Sequence, residues 1–348
     1  MTRPELVHAT APLRISFVGG GTDFSHWYEH HGGAVLSATI DHHVQVRVTP
    51  RRDRQVRVRS NDLGHLVEYH LDEGPRYDGV MDLAKAAIER IGVPGGIDVA
   101  IESDAPPGSG LGGSSALVVG VVAAVAALRD VPLTADELAR MAHAIERHDL
   151  GITGGWQDQY AAAFGGFNLI EFTPSEVFVT PVTADAAVLD RLHERLLLCY
   201  TGHVRRNVGL IDAQIRMHAE GREETMLGMK HLHEMAYAMR DAIVNDRLDV
   251  LGAMLRDAFE NKKRMNPHIA EHTPIEAMLS AARTAGAVGG KICGAGGGGY
   301  LLVYSAPERR RGVIQGLERL GGQLARFSFS SEGVRARRGG EFWAPRVW

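Results

Sequence analysis

Residues 106–115 of the chain have the sequence PPGSGLGGSS and decide which folds are open to it. Directly after them, residues 114–128 are apolar on nearly all sides of a helix, which predicts a buried helix. A glycine loop that enters a helix N-terminus presents free backbone N–H groups and the positive end of the helix dipole. Since glycine has no Cβ atom, phosphate oxygens can approach this backbone closely. The stretch therefore predicts an anion site, where the hydroxyls of Ser114 and Ser115 could bind phosphate or magnesium.

Three other interpretations of this stretch are weaker. Residues 108–113 match G-x-G-x-x-G, the pattern of dinucleotide-binding loops, but Pro106 and Pro107 separate the first glycine from the preceding strand. A Walker-type phosphate loop is excluded because no Gly-Lys-Ser/Thr sequence follows. A tight turn that only caps a core helix would not need so many prolines, glycines and serines. An anion-binding loop remains the better interpretation.

The length of 348 residues exceeds what one ordinary core needs, since single domains usually hold about 100–200 residues. Strand-like and helix-like segments are interleaved throughout, so we expect an α+β protein with two domains. Near residue 185 the pattern changes from mixed strand and helix to mainly helix, without a low-complexity linker. The sequence therefore predicts domains at residues 1–185 and 186–348.

Hydrophobic periodicity and turn residues predict the individual elements. Strands are expected at residues 13–18, 34–48, 55–60, 97–102, 195–200, 300–304 and 327–329, with a turn-rich β stretch from residue 165 to about 180. Helices are expected at residues 78–91 and 114–128, almost continuously across 213–270, and from about residue 308. Thr134 and Glu137 form a capping-box pattern, which predicts a further helix that carries Glu146.

Composition and charge exclude several classes of protein. The net charge of −4 gives no basic field for a nucleic acid, and the arginines of residues 51–59 alternate with valines as in a half-exposed strand. Two cysteines argue against a disulfide framework. The longest apolar run, residues 116–128, is shorter than the roughly 18–20 residues of a membrane span, and the N-terminus lacks a signal-peptide pattern. We expect a cytoplasmic protein without nucleic-acid or membrane partners, and its oligomeric state stays open, a homo-oligomer included.

Two carboxylates follow the glycine stretch, Glu146 and, twelve residues later, Asp158, in the sequence ERHDLGITGGWQDQY. Near a polyphosphate, one carboxylate can bind Mg²⁺ through its oxygens, and a second can orient or deprotonate an attacking hydroxyl. Taken alone the pair is weak evidence, because isolated acidic side chains are usually solvated. The histidine pairs lack the i, i+4 spacing and the cysteine partners of a zinc site, so we expect no zinc.

Three motifs, at residues 14–24, 106–116 and 291–299, resemble those of the GHMP superfamily, named after galactokinase, homoserine kinase, mevalonate kinase and phosphomevalonate kinase. The resemblance covers nearly the whole chain. It implies a two-domain α+β GHMP kinase fold. The N-terminal, ATP-binding domain would resemble ribosomal protein S5, and the C-terminal domain would be a ferredoxin-like α/β domain.

The resemblance also implies roles for individual residues, with ATP and Mg²⁺ as cofactors. Ser115 and Glu146 would hold Mg²⁺, Asp158 would be the base that faces the accepting hydroxyl, and Arg14 would lie near the transferred phosphoryl group. The ATP phosphates would be wrapped by Pro107, Gly108, Ser109, Gly110, Leu111, Gly112, Gly113, Ser114 and Ser115.

The first motif, residues 14–24, narrows the range of possible substrates. Asp23 matches the aspartate that contacts sugar hydroxyls in galactokinases, but the Glu-His pair before it is replaced by Gly20 and Gly21, which argues against galactose. Six residues are expected to contact the substrate beside Asp23: Gly20, Gly21, Thr22, Gln157, Gly294 and Gly296. The sequences RISFVGGGTDF, GITGGWQDQYAAAFGGFN, GKICGAGGGGY and FSFSSEGV resemble most the heptose 7-phosphate kinases, which phosphorylate O1 on the way to nucleotide-activated heptose.

A phosphorylated acceptor needs a second anion site. Arg205, Arg206, Lys262 and Lys263 are candidates, because arginine and lysine side chains bind phosphate well. Two alternatives stay open at this stage. The chain could phosphorylate another sugar such as fucose or mannose, or it could be a non-catalytic sensor of sugar or nucleotide built on the same fold.

Overall fold

The computed structural model describes residues 6–203, 209–339 and 341–346. In this part of the chain the strands are β1 (Val7–Val18), β2 (Gly33–Pro50), β3 (Gln55–Ser60), β4 (His65–His70), β5 (Ile97–Ser103), β6 (Phe167–Phe172), β7 (Val177–Pro181), β8 (Leu196–Tyr200), β9 (Ala287–Ile292), β10 (Tyr300–Ser305), β11 (Gln323–Ala325), β12 (Arg335–Arg338) and β13 (Glu341–Trp343).

The helices of the same residues lie mostly between these strands. They are α1 (Ser25–His31), α2 (Asp82–Ile91), α3 (Gly113–Leu128), α4 (Ala135–Ala144), α5 (Gln157–Phe164), α6 (Ala186–Arg195), α7 (Leu210–Ala219), α8 (Glu223–Val244), α9 (Leu251–Met265), α10 (Ile275–Thr284) and α11 (Arg310–Glu318). Helix α4 continues directly into a single π-helical turn, Ile145–Asp149. None of the helices among the described residues is long and apolar enough to cross a membrane.

The first sheet is organised around β2, the longest strand. Nine strands belong to it, in the order β13-β12-β1-β2-β5-β3-β4, with β6 and β7 added on β2. The first part of β2 pairs with β6 from Gly33 to Ala38, and its last part pairs with β5 from Val44 to Pro50. One long strand therefore serves two different neighbours on the same side. The pairs are antiparallel except for β3 and β5, which run parallel.

The second sheet has four strands in the order β11-β8-β10-β9, and all its pairs are antiparallel. Its strands alternate between two cores. In β8, Leu197 and Cys199 belong to a core with α10 and α11, whereas Leu196 and Leu198 belong to the large core of the first sheet. Both faces of this sheet are covered, which explains why its strands are apolar at consecutive positions and not only at alternate ones.

Helix α3 lies against β1 and β2 with twelve of its sixteen residues buried. This confirms the prediction of a buried helix from its nearly uniform apolar composition. The capping box at Thr134 is also confirmed, because the Thr134 hydroxyl accepts from the Glu137 backbone N–H and the Glu137 carboxylate accepts from the Thr134 N–H. Glu146, however, lies in the π-helical turn after α4 and not in the helix itself.

One predicted strand is wrong. Residues 327–329 form no strand, apart from a single bridge between Phe329 and Ile40, and the last strand of the second sheet is β11. The aromatic side chains that suggested a strand instead pack together: Phe327 and Phe329 contact each other, and Phe329 contacts Phe17. The alternating aromatic residues at 327–329 therefore reflect packing onto the first sheet and not a strand. The predicted helix at 78–91 starts at Asp82, because Gly79 and Met81 have positive φ angles.

The end of the chain returns to the first sheet. Strand β12 pairs with the start of β1, where Ala336 lies opposite Ala9, and β13 pairs with β12. The first sheet is thus built from both ends of the described chain. The division into domains at residue 185 remains a prediction.

Helix α9 approaches β9 closely enough to require glycine. A Cβ atom on Gly289 would lie 1.9 Å from the backbone oxygen of Gly252, and one on Gly252 would lie 2.5 Å from the Val288 Cβ. Backbone atoms at such distances cannot move apart without shifting the helix. The contact matters for the site because α9 carries Lys262, which lines the cavity described below.

We predict that Gly289→Ala destabilises the protein by about 1–3 kcal/mol or more, because the new methyl group must displace the backbone of α9. Urea unfolding at neutral pH measures the effect. Gly312→Ala is the matched control: its Cβ would meet only the Ala285 oxygen, at 3.5 Å, and alanine favours a helix by up to about 1 kcal/mol over glycine. Equal stability of the Gly289→Ala variant and the wild type would contradict this close packing.

Candidate active site

Two glycine clusters contact each other through their backbones. A Cβ atom on Gly110 would lie 2.6 Å from the Cys293 oxygen, and one on Gly294 would lie 2.7 Å from the Gly110 Cα. The Tyr300 N–H also donates to the Ser109 oxygen at 3.0 Å. Gly110 and Gly294 have φ angles of 78° and 62°, which favour glycine for a second reason. The third motif, residues 291–299, therefore contacts and supports the glycine loop of the second motif, residues 106–116.

A cavity of about 650 Å³ opens beside this contact. The glycine loop and the start of α3 form one wall, and residues from β1, α5, α7 and α9 form others. No side chain among the described residues caps α3, whose N-cap is Gly112 with a φ angle of 80°. The first backbone N–H groups of this buried helix are thus available to an anion in the cavity. At the junction Ser115 is buried, whereas Ser114 is exposed.

The Arg14 side chain joins the loop to Asp158. Its Nε atom donates to Asp158 Oδ1 at 2.8 Å, its Nη2 atom lies 2.6 Å from the same oxygen, and its Nη1 atom donates to the Gly110 oxygen at 2.6 Å. The Arg14 backbone N–H donates to the Leu111 oxygen at 3.0 Å. Arg14 is almost completely buried, and Asp158 is 29% exposed. The carboxylate therefore has a fixed orientation and an accessible face.

Asp23 lies at the start of α5, lines the same cavity as this pair and is buried. Its carboxylate accepts from the backbone N–H groups of Gly21 at 2.9 Å and Gln157 at 3.1 Å. Burial raises the pKa of Asp23 above its usual range, and the two backbone hydrogen bonds partly oppose this shift. Gly155 is needed here, because a Cβ atom on it would lie 2.0 Å from Asp23 Oδ2.

Glu146, Ser115 and Gln159 form a buried polar group below the loop. The Gln159 Nε2 atom donates to Glu146 Oε1 at 2.6 Å and to the Ser115 hydroxyl at 3.0 Å. Burial raises the pKa of Glu146, while the Arg147 charge and these hydrogen bonds lower it. The Gln159 Oε1 atom is buried without a partner among the described residues. The Glu146 carboxylate and the Ser115 hydroxyl thus accept from the same amide, and both are oxygen groups of the kind that binds a hard cation.

Arg147 connects this group to the loop before Asp158. Its Nη1 atom lies 3.3 Å from Glu146 Oε2 and donates to the Ile152 oxygen, and its Nη2 atom donates to the Gly155 oxygen at 3.1 Å. Gly154 packs directly against the Arg147 guanidinium group, since a Cβ atom on Gly154 would lie 2.4 Å from Nη2. Arg147 therefore positions the segment of residues 152–155, which lies along the chain between Glu146 and Asp158.

Two lysines add positive charge to the site. Lys262 lines the cavity and has no hydrogen-bond or ion-pair partner within the described part of the chain; burial, and then the Lys291 charge, lower its pKa to about 7. Lys291 donates to the Ser16 oxygen at 2.6 Å, and burial lowers its pKa to about 8. Lys262 is thus a buried cationic group without an acidic partner among the described residues, and an anionic substrate could supply that partner.

Other residues predicted for the site lie in different surroundings. Gly20, Gly21, Gln157, Gly294 and Gly296 line the cavity with the loop residues Pro107, Gly108, Ser109, Gly110, Gly112 and Gly113. Leu111 and Thr22 are buried and do not line it, and the Thr22 hydroxyl instead donates to the Gly19 oxygen at 2.8 Å. Lys263 lies outside the cavity and pairs with Glu276 and Glu260. Arg205 and Arg206 lie outside the described residues.

Sequence reasoning missed Gln159, Arg147, Gln214 and the position of Lys291. Each carries a polar group into the buried surroundings of the site. Gln159 directly follows Asp158, and Arg147 directly follows Glu146, so closeness to the two carboxylates was the available signal. Within the described residues, no group of three or more histidine, cysteine, aspartate or glutamate side chains could hold a metal ion, so no zinc-type cluster is present there.

Comparison with known proteins gives the family. Residues 79–166 match the GHMP kinases N terminal domain, and residues 239–320 match the GHMP kinases C terminal domain. A kinase of the phosphotransferase class fits this fold and this cavity. The chain belongs to the GHMP kinase family, whose members use ATP.

Three relatives give the similarity in detail. D-glycero-alpha-D-manno-heptose 7-phosphate kinase of Campylobacter jejuni is 34% identical over 95% of this chain and 99% of its own length. The crystal structure of a D-glycero-D-manno-heptose 1-phosphate kinase from Bacteroides thetaiotaomicron has a TM-score of 0.80 and 29% identity, over 95% of this chain and 98% of that one. The bifunctional fucokinase/GDP-fucose pyrophosphorylase of Arabidopsis thaliana is 25% identical over 91% of this chain but only 31% of its own length.

The lowered pKa of Lys262 predicts a pH dependence of stability without substrates. In the unfolded chain this lysine titrates near 10.5, and in the folded protein near 7. Between these values the unfolded state binds more protons, so stability rises with pH, by up to about 1.4 kcal/mol per pH unit. We expect Lys262→Met to make the free energy of unfolding depend less steeply on pH from about 7.5 to 9.5, measured by urea unfolding.

Lys263→Met is the control, because this neighbouring lysine lies on the surface. Burial is the largest single effect and lowers its pKa, but the hydrogen bonds and charges of Glu276 and Glu260 together outweigh burial and raise the pKa above its usual value. Its charge therefore does not change between pH 7.5 and 9.5. If Lys262→Met has the same pH profile as the wild type, Lys262 is not buried as an unpaired cation.

Proposed function

We propose that the chain transfers the γ-phosphoryl group of ATP to O1 of D-glycero-D-manno-heptose 7-phosphate and so forms the 1,7-bisphosphate. The observation that carries this proposal is the pair of Arg14 and Asp158, which joins the glycine loop to the helix beside Asp23 in one cavity. Family membership supports ATP as the donor. The heptose phosphate kinase from Campylobacter jejuni, similar over its whole length, supports the choice of acceptor.

The glycine loop, residues 107–115, would bind the triphosphate. Phosphoryl transfer passes through a loose transition state, so most of the acceleration comes from positioning and from neutralising charge on the phosphoryl oxygens. The backbone N–H groups at the start of α3 and the guanidinium of Arg14 supply positive potential at this place. Because the loop is held by Gly294 and Tyr300, these donors need little rearrangement when ATP binds.

We assign Glu146 and Ser115 to hold a magnesium ion, with Gln159 beside them. The fit rests on the chemistry of the group: the Glu146 carboxylate and the Ser115 hydroxyl, joined by one Gln159 amide, are oxygen ligands of the kind that Mg²⁺ prefers. Bound Mg²⁺ would neutralise part of the charge of the polyphosphate. The raised pKa of Glu146 also favours a cation at this place, because a positive charge would stabilise the buried carboxylate.

Asp158 would act on the acceptor. Its carboxylate takes the proton of the anomeric hydroxyl as that oxygen bonds to the γ-phosphorus, and the bond from this phosphorus to the bridging oxygen breaks, which releases ADP. Arg14 orients the carboxylate by three contacts to Asp158 and the loop. Asp23, held by two backbone N–H groups, would accept hydrogen bonds from hydroxyls of the sugar.

Lys262 is the described residue that best fits an anionic group of the acceptor. It lines the cavity, is buried and has no partner among the described residues, so a phosphate oxygen would satisfy both its charge and its hydrogen-bond donors. Arg205 and Arg206 stay candidates for the same phosphate on the sequence alone. Lys263, which is paired on the surface, is not part of this proposal.

Two alternative acceptors are supported by specific observations. The relatives from Campylobacter and Bacteroides are named as kinases of the heptose 7-phosphate and the heptose 1-phosphate, so their names place the acceptor's phosphate at different carbons. The similarity to a plant fucokinase supports an unphosphorylated sugar as a second alternative acceptor.

A non-catalytic sensor is the remaining alternative. Such a sensor would not need the Asp158 carboxylate to be held at the glycine loop by Arg14.

The experiment that tests the function is a panel of acceptors in a coupled assay of ADP release, with and without Mg²⁺. We expect the highest kcat/KM with the heptose 7-phosphate, and lower values with heptose, mannose and fucose, because Lys262 favours an anionic acceptor. Heptose 1-phosphate should also give a lower value, because its O1 already carries a phosphate. NMR of the product identifies the oxygen that is phosphorylated. A higher kcat/KM with any other member of the panel would replace the heptose 7-phosphate in the proposal, and no ADP release at all would favour the sensor.

We predict that Asp158→Asn lowers kcat by about 10²- to 10⁴-fold while ATP binding persists, because the amide keeps the shape but cannot take a proton. Steady-state kinetics and calorimetric titration with ATP measure the two effects. Asp212→Asn, an exposed substitution on α7, is the control for loss of one carboxylate. A near-normal kcat in the Asp158→Asn enzyme would remove this residue from the mechanism.

A further inference from the structure

Gln214 is a buried amide that the site described above does not use. It lies on the inner face of α7, is only 5% exposed and lines the cavity. Its Nε2 atom is buried and has no hydrogen-bond partner among residues 6–203, 209–339 and 341–346. A buried amide donor without a partner lowers stability, so such groups in folded proteins generally have a partner in the functional state. The cavity is the open space that can supply one.

Gln214 lies in the part of the cavity near Asp23, where the proposed function places the sugar. A Cβ atom on Gly21 would lie 3.0 Å from Gln214 Nε2 and 2.7 Å from the Met265 Sδ atom. The Gly21 N–H is already used, because it donates to Asp23 Oδ1 at 2.9 Å. Gln214 is therefore next to the segment that carries Asp23, without being bonded to it, and it is separate from the glycine loop.

A second amide in this part of the cavity has an unused group as well. The Gln157 Oε1 atom is buried without a partner in the described part of the chain, while its Nε2 atom lies 3.4 Å from Asp23 Oδ1. A Cβ atom on Gly20 would lie 3.2 Å from Gln157 Nε2. Gln157 and Gln214 thus border the Gly20-Gly21 segment with complementary acceptor and donor groups. Hydroxyl groups, which donate and accept at once, are the natural partners of such a pair.

Helix α7 holds Gln214 in place at both of its ends. The Asn266 Nδ2 atom donates to the Leu210 oxygen at 2.8 Å, and Asn266 is buried. At the other end, the His218 ring lies with its centroid 4.6 Å from that of His26 on α1. A side chain anchored in this way can bind a ligand without losing much conformational freedom.

We propose that the Gln214 amide hydrogen-bonds a hydroxyl of the acceptor sugar and makes the enzyme select acceptors that carry this hydroxyl. The inference rests on the proposed function, because it takes the ligand at this wall to be a sugar. Selection follows from burial: an acceptor without the hydroxyl leaves the amide unpaired inside a desolvated cavity.

The test compares the wild type with Gln214→Met, which keeps the size of the side chain but has no amide. We expect kcat/KM for the accepted sugar to fall about 3- to 10-fold, mainly through a higher KM for the sugar, as for the loss of one neutral hydrogen bond. The KM for ATP should stay unchanged. Ile215→Met is the matched control, because Ile215 is adjacent on α7 and does not line the cavity.

A series of monodeoxy analogues of the accepted sugar gives the sharper result. For the one analogue that lacks the contacted hydroxyl, we expect the wild type and Gln214→Met to have equal kcat/KM, whereas the difference persists with all the others. If Gln214→Met unfolds at a lower urea concentration than the wild type, Gln214→Leu repeats the comparison with another apolar side chain.

Three results would overturn the inference alone: an unchanged kcat/KM in both variants, an equal loss with every analogue, or the same loss in Ile215→Met. Each of them leaves the wild type active on its sugar, so the proposed function would stand. No turnover of any sugar by the wild type is the separate result that overturns the proposed function, and this inference falls with it.

Discussion

The backbone contact between Gly110 and Gly294 is the constraint on which the site depends. It joins the glycine loop after β5 to the loop between β9 and β10, so the two sheets meet at this point. The carbonyl groups of Gly110 and Leu111 then fix Arg14, and Arg14 fixes Asp158. Each step passes through a short hydrogen bond or a distance that only glycine permits. A shift of the first contact would therefore reach the carboxylate at the end of the series.

Stability and function oppose each other in the charges of the site. Arg14 is buried against an acidic partner, but Lys262 is buried without one in the described residues, and burial lowers its pKa to about 7. An unpaired buried cation costs free energy, and so do unpartnered amides such as those of Gln159 and Gln214. These costs are concentrated around one cavity while the cores of both sheets are apolar, which is the distribution expected of a preorganised binding site.

The sequence was most informative where one local rule decides the structure. The uniform apolar composition of residues 114–128 can only be satisfied by a buried helix, and the Thr134 and Glu137 pair acts within four residues. It was least informative where distant residues decide. Phe327 and Phe329 resemble a strand by alternation, yet Phe329 packs onto Phe17 from the first sheet and Phe327 packs onto Phe329. The partners of Glu146 and the unpaired amide of Gln214 likewise depend on contacts across the fold, which no local pattern records.

The pairing of β12 with β1 has a consequence for the order of folding. Strand β1 contains Arg14, the first residue of the site along the chain, and among the described residues, residues 335–338 cover its edge from Val7 to Thr10. During synthesis, the first sheet therefore has an open edge until residues 335–338 have been made and have left the ribosome. An open strand edge can pair with other chains, so a nascent or truncated enzyme would be exposed to aggregation.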